Sequence, residues 1–260
     1  MADITKSMDI TILGSGTCVP SLKRSSCSAL VECGPDKLVF DMGPGTMRRL
    51  LETGTRIQDV THVLLSHFHP DHCGELVSFL FALKARELHK EGAHVTLIGG
   101  HGLTGFFQGL KQVFGRWIDL GEEAFTLVEM KTSGPDERIF SHFYLTSRPM
   151  EHNPESLAYR ILHDGKSVVY SGDTDVCGEL VTLSKDADVL ICESAGTDGN
   201  KMDKHLTPSL AGGMARQAGV QTLVLTHFYP ECEKTDIAKQ CRKTYDGKLF
   251  LAEDLMKISL

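Results

Sequence analysis

Short runs of β-branched and other apolar residues recur along the chain, separated by polar and glycine-containing segments. Runs of this length and composition predict β-strands. The predicted strands are 10–13, 28–31, 38–40, 62–65, 95–98, 125–128, 139–145, 157–162, 167–170, 189–192, 222–225 and 248–251. Apolar positions with helical spacing lie between some of these runs. The predicted helices are 45–52, 74–89, 103–114, 178–183, 208–218 and 235–242.

The order of these elements indicates the fold class. Strands come in consecutive groups, as antiparallel hairpins do, and helices follow, which favours sheets covered on their outer faces. We therefore expect a layered α/β sandwich. No Pro/Ser-rich linker, low-complexity segment or internal repeat divides the sequence, so we expect one domain over residues 1–260.

Composition narrows the class of protein further. Hydrophobic residues make up 41% and charged residues 23% of the 260 residues, as in ordinary globular proteins. The net charge of −7 disfavours a general nucleic-acid coat protein, because the overall field repels polyanions. The longest nearly apolar stretch, 76–83, is too short to span a bilayer, and the opening segment lacks a long apolar signal core. We expect a soluble, cytoplasmic chain that does not bind membranes.

Four potential metal ligands lie within six residues, directly after the predicted strand 62–65: His67, His69, Asp71 and His72. Side chains two apart in an extended segment point the same way, and Pro70 then turns the chain. One short loop can in this way serve two cations. Imidazole and carboxylate ligands suit zinc, iron or manganese, and the lack of a nearby thiolate cluster argues against a closed structural zinc site.

Two cations require further ligands, and three other segments supply candidates after predicted strands. They are His152, Asp173 and His227. Gly172 allows the backbone to approach the site closely, and the two carboxylate oxygens of Asp173 are able to bridge two cations. Asp41 is expected either to accept a hydrogen bond from a ligand imidazole or to form a turn.

These motifs give the chain a specific resemblance. The segments SHFHPDHCGEL, VVYSGDTDVC, KHLTP and LVLTHFYP, in this order and spacing, resemble the metallo-β-lactamase superfamily and, within it, the ribonuclease Z-like phosphodiesterase branch. The resemblance implies a four-layer αββα sandwich with the site where the two sheets meet. It assigns His67, His69 and His152 to one metal, Asp71, His72 and His227 to the other, and Asp173 to both.

The resemblance also implies catalytic roles and a quaternary structure. Asp71 would orient the attacking water or accept its proton. His205 would act as general acid, with Glu193 as its partner. Relatives of this kind make a homodimer a reasonable expectation.

Departures from sibling patterns narrow the reaction. Classical β-lactamases of the superfamily carry arginine where His72 stands, which disfavours lactam hydrolysis. The segment around His152 is unlike the His-x-Pro-Gly-His-Thr type of glyoxalase II-like thioesterases. The tRNA-gripping arm of tRNA-processing relatives does not fit between His152 and Asp173, which are 21 positions apart. The basic and aromatic residues that usually follow the last metal histidine are also replaced.

We therefore expect a hydrolase that uses two divalent metal ions, first of all zinc, with manganese or iron as alternatives. The expected reaction is phosphodiester hydrolysis through a metal-bridging hydroxide. The expected substrate is a small nucleotide, a cyclic phosphodiester or a short RNA 3′ end. A thioester or lactone hydrolase on the same fold, and a non-catalytic metal-dependent sensor or scaffold, are the alternatives.

Overall fold

The structure of the protein is a computed structural model, of which residues 8–85 and 93–260 are described. Within these residues the chain forms two seven-stranded sheets. The strands of the first sheet are β1 Met8–Gly14, β2 Ser28–Cys33, β3 Asp36–Phe40, β4 His62–Leu64, β5 Val95–Gly99, β6 Phe125–Glu129 and β14 Lys257–Ser259. Those of the second are β7 Asp136–Ile139, β8 Tyr144–Pro149, β9 Leu157–His163, β10 Lys166–Tyr170, β11 Val189–Glu193, β12 Thr222–Thr226 and β13 Lys248–Leu251.

Each sheet combines antiparallel and parallel pairs. The first has the order β14-β1-β2-β3-β4-β5-β6 and the second β13-β12-β11-β10-β9-β8-β7. Strands β3 to β6 run parallel, as do β10 to β13. The α-helices are α1 Thr46–Thr53, α2 Pro70–Cys73, α3 Leu76–Leu83, α4 Leu103–Phe114, α5 Gly178–Leu183, α6 Pro208–Ala218 and α7 Ile237–Cys241. No helix of the described ranges is long and apolar enough to span a membrane.

Alternation along the strands of the first sheet separates two cores. In β2, Ala29 and Val31 belong to the core shared with the second sheet, whereas Leu30 belongs to the core under α1, α3 and α4. Because successive side chains of a strand point to opposite faces, the sheet is covered on both sides. Apolar residues of α5, α6 and α7 pack against the second sheet. The expected four-layer αββα sandwich is confirmed.

The structure differs from the predicted elements in several places. The predicted strand 139–145 is wrong, because the chain reverses at 140–143 and its two ends belong to β7 and β8. The stacked rings of Phe140 and Phe143, 4.6 Å apart, make this turn as apolar as a strand. Strand β14 was not predicted. Within the predicted helix 74–89, the structure shows Leu76–Leu83, and positions 86–89 lie outside the described residues.

Parallel strands bring their carboxyl ends to one edge of each sheet. The segments that follow β3 and β4 in the first sheet lie beside those that follow β10, β11 and β12 in the second, as the contacts of Asp173 with His72 and His227 show. Every predicted site residue except His152 and His205 lies at the end of one of these strands or in the segment directly after it. His152 lies between β8 and β9, and His205 lies between β11 and α6.

Candidate metal centre

The segment between β4 and α3 carries four of the predicted ligands. Pro70 occupies the first turn of α2, and the amide of His72 donates to the carbonyl of His69 at 2.9 Å. This short helix turns the chain after His69, as the proline predicts. As a result, His67 and His69 approach the site from the extended segment, and Asp71 and His72 approach it from the helix.

One group of ligand atoms is formed by His67, His69, His152 and Asp173, whose ligand atoms lie within 4.8 Å of one another. Nδ1 of His69 lies 3.3 Å from Nε2 of His152. Oδ2 of Asp173 lies 3.7 Å from Nε2 of His67 and 3.9 Å from Nε2 of His152. Three imidazole nitrogens and one carboxylate oxygen thus face a common point, which is a donor set suited to a divalent cation.

A second group consists of Asp71, His72 and His227, again within 4.8 Å of one another. The Nε2 atoms of His72 and His227 are 3.3 Å apart, and Oδ2 of Asp71 lies 3.7 Å from Nε2 of His227. The two oxygens of Asp173 face this group as well, Oδ2 at 3.3 Å from His72 and Oδ1 at 3.4 Å from His227. Asp173 therefore lies between the two groups and contacts both.

The unpartnered atoms of the site also fit cations. Nε2 of His67 and Oδ1 of Asp173 are buried and have no hydrogen-bond partner. Buried polar groups are normally satisfied, so an orphaned nitrogen and an orphaned oxygen that face the same centre indicate a ligand of opposite polarity. Two pairs of imidazole nitrogens facing each other at 3.3 Å are also explained by an electron-pair acceptor between them.

The ionisation of the site favours anionic oxygen donors. Burial alone would raise the pKa of Asp173, but the charges of His227 and His72 hold that pKa well below its usual range. For Asp71, too, burial opposes ionisation, but the adjacent imidazoles of His227 and His72 keep its pKa lowered. Burial, together with the charge of His72, lowers the pKa of His67 well below its usual range. The ionised carboxylates and the neutral imidazole of His67 are in the forms that bind metals.

Asp41 orients two of the histidines. It is fully buried after β3, with φ of 57°, and its Oδ2 lies 2.7 Å from Nδ1 of His72. The hydroxyl of Ser66 donates to the same oxygen at 2.8 Å and lies 3.0 Å from Nδ1 of His67. With Nδ1 of each ring engaged in this way, Nε2 is left to face the site. Of the two alternatives for Asp41, the geometry favours the acceptor.

His205 forms a third group with Asp173 and His227, within 4.8 Å of one another, and its partner is Glu193. Nδ1 of His205 is 2.9 Å from Oε1 of Glu193, and its ring centroid is 5.1 Å from that of His152 and 5.6 Å from that of His227. Glu193 is buried and also accepts hydrogen bonds from the amides of Thr174 and Leu206. Burial would lower the pKa of His205, but the hydrogen bond and charge of Glu193, together with the charge of Asp173, raise that pKa above its usual value.

The structure adds residues that the sequence argument missed. Tyr170 donates to Asp41 at 2.8 Å, and the Asn153 amide lies 3.0 Å from Nε2 of His69. Ser66 bridges Asp41 and His67. Asn153 and Ser66 are each adjacent in sequence to a predicted ligand, and this adjacency is the signal that could have identified them. Tyr170 is 129 positions from Asp41 and carries no such signal.

Comparison with known proteins identifies the family. Residues 29–228 match the family model described as the β-lactamase superfamily domain. An uncharacterized protein of Mycobacterium tuberculosis is 32% identical over 245 residues, covering 93% of this chain and 88% of that protein. A ribonuclease Z of Mycobacterium bovis is 28% identical over 280 residues, covering 97% of this chain and 98% of that enzyme.

Solved structures show the same fold. The metallo-β-lactamase fold protein YhfI from Bacillus subtilis superposes with a TM-score of 0.84 at 21% identity, covering 96% of this chain and 99% of that one. The short form of human tRNase Z gives a TM-score of 0.78 at 23% identity, covering 96% and 98%. The two-sheet architecture, the His/Asp cluster at its edge and the family match agree, and the chain therefore belongs to the metallo-β-lactamase superfamily, with ribonuclease Z proteins among its relatives.

Proposed function

We propose that the protein is a hydrolase that uses two divalent metal ions, first of all zinc, and cleaves the phosphodiester of a small nucleotide. The observation that carries this proposal is the convergence of seven ligand side chains on two adjoining points. His67, His69 and His152 would hold one ion, Asp71, His72 and His227 the other, and Asp173 both. Two such ions, when bound, supply a hydroxide nucleophile near neutral pH and polarise a non-bridging phosphate oxygen.

The protein's own residues would prepare and complete the reaction. Oδ1 or Oδ2 of Asp71, whose side chain is 12% exposed, would orient the attacking water or accept its proton. Asp41 holds His72 directly and His67 through Ser66, so that the ligand nitrogens keep their direction while the substrate turns over.

His205 is suited to protonate the leaving alkoxide. Its Nδ1 is held by Glu193, and the ring lies beside the rings of His152 and His227, within reach of the same reacting group. Glu193 keeps the ring oriented and stabilises its protonated form. The amide of Thr174, next to Asp173, is bound to the same carboxylate, so the acid and the bridging ligand are fixed relative to each other.

A small phosphodiester fits the site better than a structured RNA. Relatives named ribonuclease Z support phosphodiester chemistry. Between His152 and Asp173 the chain contains only β9, β10 and their turn, which leaves no segment for a tRNA-gripping arm. The net charge of −7 also disfavours a long polyanion, because phosphate contacts from Lys and Arg supply most non-specific affinity for nucleic acids.

Elemental analysis combined with an activity panel tests the proposal. Purified protein is dialysed against zinc, and in parallel against manganese, and bound metal is quantified. Hydrolysis of bis(p-nitrophenyl) phosphate, cyclic nucleotides, a thioester and a lactone is then measured. We expect two ions per chain and turnover of the phosphodiesters.

Three results would contradict the proposal. They are fewer than two ions at saturation, turnover of thioesters or lactones alone, and a fully loaded protein that is inert towards the whole panel. The last result would favour a sensor or scaffold. A homodimer stays a prediction, which sedimentation equilibrium checks on the same sample.

A further inference from the structure

A cavity of about 480 Å³ opens beside Asp71. The segment 17–26, which joins β1 to β2, forms one wall, and Pro44, Gly45 and Pro70 form the other. Its volume falls in the range of sites for small organic ligands, roughly 300–1,000 Å³. Because Asp71 is one of the proposed metal ligands, a phosphodiester bound at the metal centre can place one of its two organic groups in this cavity.

The 17–26 segment is held in place by contacts at both of its ends. Asp254 accepts hydrogen bonds from the amides of Ser15 and Ser25, at 3.0 and 2.7 Å, and from Arg49. Near the cavity mouth, Sγ of Cys18 lies 3.3 Å from the hydroxyl of Tyr229, two positions after the proposed ligand His227. The wall is therefore preformed, and a ligand does not have to order it.

Two hydroxyls of this wall are available as donors. Oγ1 of Thr17 accepts a hydrogen bond from the amide of Val19, and Oγ of Ser21 accepts from the amides of Lys23 and Arg24. Neither hydroxyl donates to an acceptor within the described residues. A hydroxyl that already accepts retains its own hydrogen for a ligand, so Thr17 and Ser21 each offer a donor to an acceptor-bearing group.

The remainder of the lining disfavours a negatively charged ligand group. Val19, Pro20 and Pro44 supply apolar surface, and the guanidinium of Arg24 is already bound to Glu233 at 2.6 Å. A second phosphate would meet no unpaired guanidinium here and would lie close to the Asp71 carboxylate. The cavity therefore suits an uncharged group that combines apolar ring faces with hydrogen-bond acceptors.

We propose that this cavity binds the nucleoside portion of the substrate, with the hydroxyls of Thr17 and Ser21 donating to its base or sugar. The inference rests on the proposed function and deepens it, because it identifies the substrate as a single nucleotide ester. A nucleoside has the required combination of flat apolar faces, ring nitrogens, carbonyl groups and sugar oxygens.

Two matched esters test this subsite in the zinc-loaded protein. Thymidine 5′-(p-nitrophenyl phosphate) and methyl p-nitrophenyl phosphate release the same chromophore, and only the first carries a nucleoside. Binding of thymidine 5′-monophosphate and of methyl phosphate is measured in parallel by titration calorimetry. We expect the nucleoside to raise both kcat/KM and affinity at least tenfold over the methyl compounds.

Hydroxyl removal locates the effect. Each of Thr17→Val and Ser21→Ala should lower the nucleoside preference by about three- to tenfold, the worth of one neutral hydrogen bond. Thr182→Val, which removes a hydroxyl on α5 bound to the carbonyl of Gly178, should leave the preference at the wild-type value. A loop that is merely loosened would change the values for both probes together, so the ratio isolates the nucleoside contact.

Two outcomes would overturn the subsite: equal affinity for thymidine monophosphate and methyl phosphate in the wild type, or a preference that both variants retain. The calorimetry separates this failure from that of the proposed function. A protein that hydrolyses neither ester yet binds the nucleotide preferentially refutes the phosphodiesterase and supports the subsite. Turnover of both esters without any preference supports the phosphodiesterase and refutes the subsite.

Discussion

Replacing Asp41 by asparagine tests how strongly metal binding depends on one buried carboxylate. Asp41 accepts four hydrogen bonds, from the amide and hydroxyl of Ser66, Nδ1 of His72 and the hydroxyl of Tyr170, all between 2.7 and 2.8 Å. Asparagine preserves the size of the side chain and tolerates the φ of 57°. Its amide nitrogen, however, donates where the carboxylate accepted.

The Asp41→Asn substitution changes the tautomer of His72. Facing an amide donor, Nδ1 of His72 becomes the acceptor, and the ring proton moves to Nε2, the atom that faces His227 at 3.3 Å. Loss of such a carboxylate partner typically weakens metal binding by about 10- to 100-fold. That corresponds to about 1.4–2.8 kcal/mol, in line with the worth of one hydrogen bond to a charged group. Because Asp41 contacts His67 only through Ser66, the affinity for the other ion should fall less.

Competition with a chromophoric chelator measures both affinities. We expect Asp41→Asn to bind one of the two proposed ions, tested as zinc, 10- to 100-fold more weakly than the wild type. Asp188→Asn serves as the matched control, because Asp188 is also largely buried and accepts hydrogen bonds from Ser167 and Lys166 but belongs to neither ligand group. Wild-type affinity at both sites in Asp41→Asn would refute the reasoning.

Three further predictions concern turnover, metal content and stability. Asp173→Ala should lose at least one bound ion and nearly all activity, as seen by elemental analysis; retention of both ions would contradict the bridging role. His205→Ala should keep both ions and lose activity most with poor leaving groups, and equal losses for good and poor leaving groups would contradict an acid role. Burial lowers the pKa of His62 to about 4, whereas the unfolded chain has about 6.5, so stability falls as pH drops through this interval. Between pH 7 and pH 5 this loss is about 2 kcal/mol. The free energy of unfolding of His62→Gln, measured with urea, should decrease correspondingly less over this pH range than that of the wild type. An identical decrease in both proteins would exclude the contribution of His62.

The element pattern was predictable where apolar residues mark a buried strand. The prediction 62–65 matches β4, His62–Leu64, because a strand covered on both faces reads as a continuous apolar run. The same rule caused the error at 139–145, where two phenylalanines stack across a turn. Strand β14 has only three half-exposed or exposed residues and pairs with β1 some 250 positions away, so no local pattern indicates it.

The site could be predicted where its ligand residues lie close together in the sequence. The cluster from His67 to His72 lies in one segment, and the structure brings His152, Asp173 and His227 to it. The supporting contacts were less accessible. Two examples are the contact of Tyr170 with Asp41 and the contacts by which Asp254 holds the segment beside the cavity. Both depend on the packing of the two sheets. Contacts between such distant positions produce no spacing pattern in the sequence.

Because the proposed ligands are divided between the two sheets, the stability of the protein would depend on the concentration of free cation. The first sheet contributes the segment from His67 to His72, and the second contributes His152, Asp173 and His227, so each ion would crosslink the two halves of the sandwich. Bound cations stabilise only the docked sheets, and the stabilisation grows with the logarithm of free metal. Depletion of the cation would consequently shorten the lifetime of the protein as well as abolish the proposed activity.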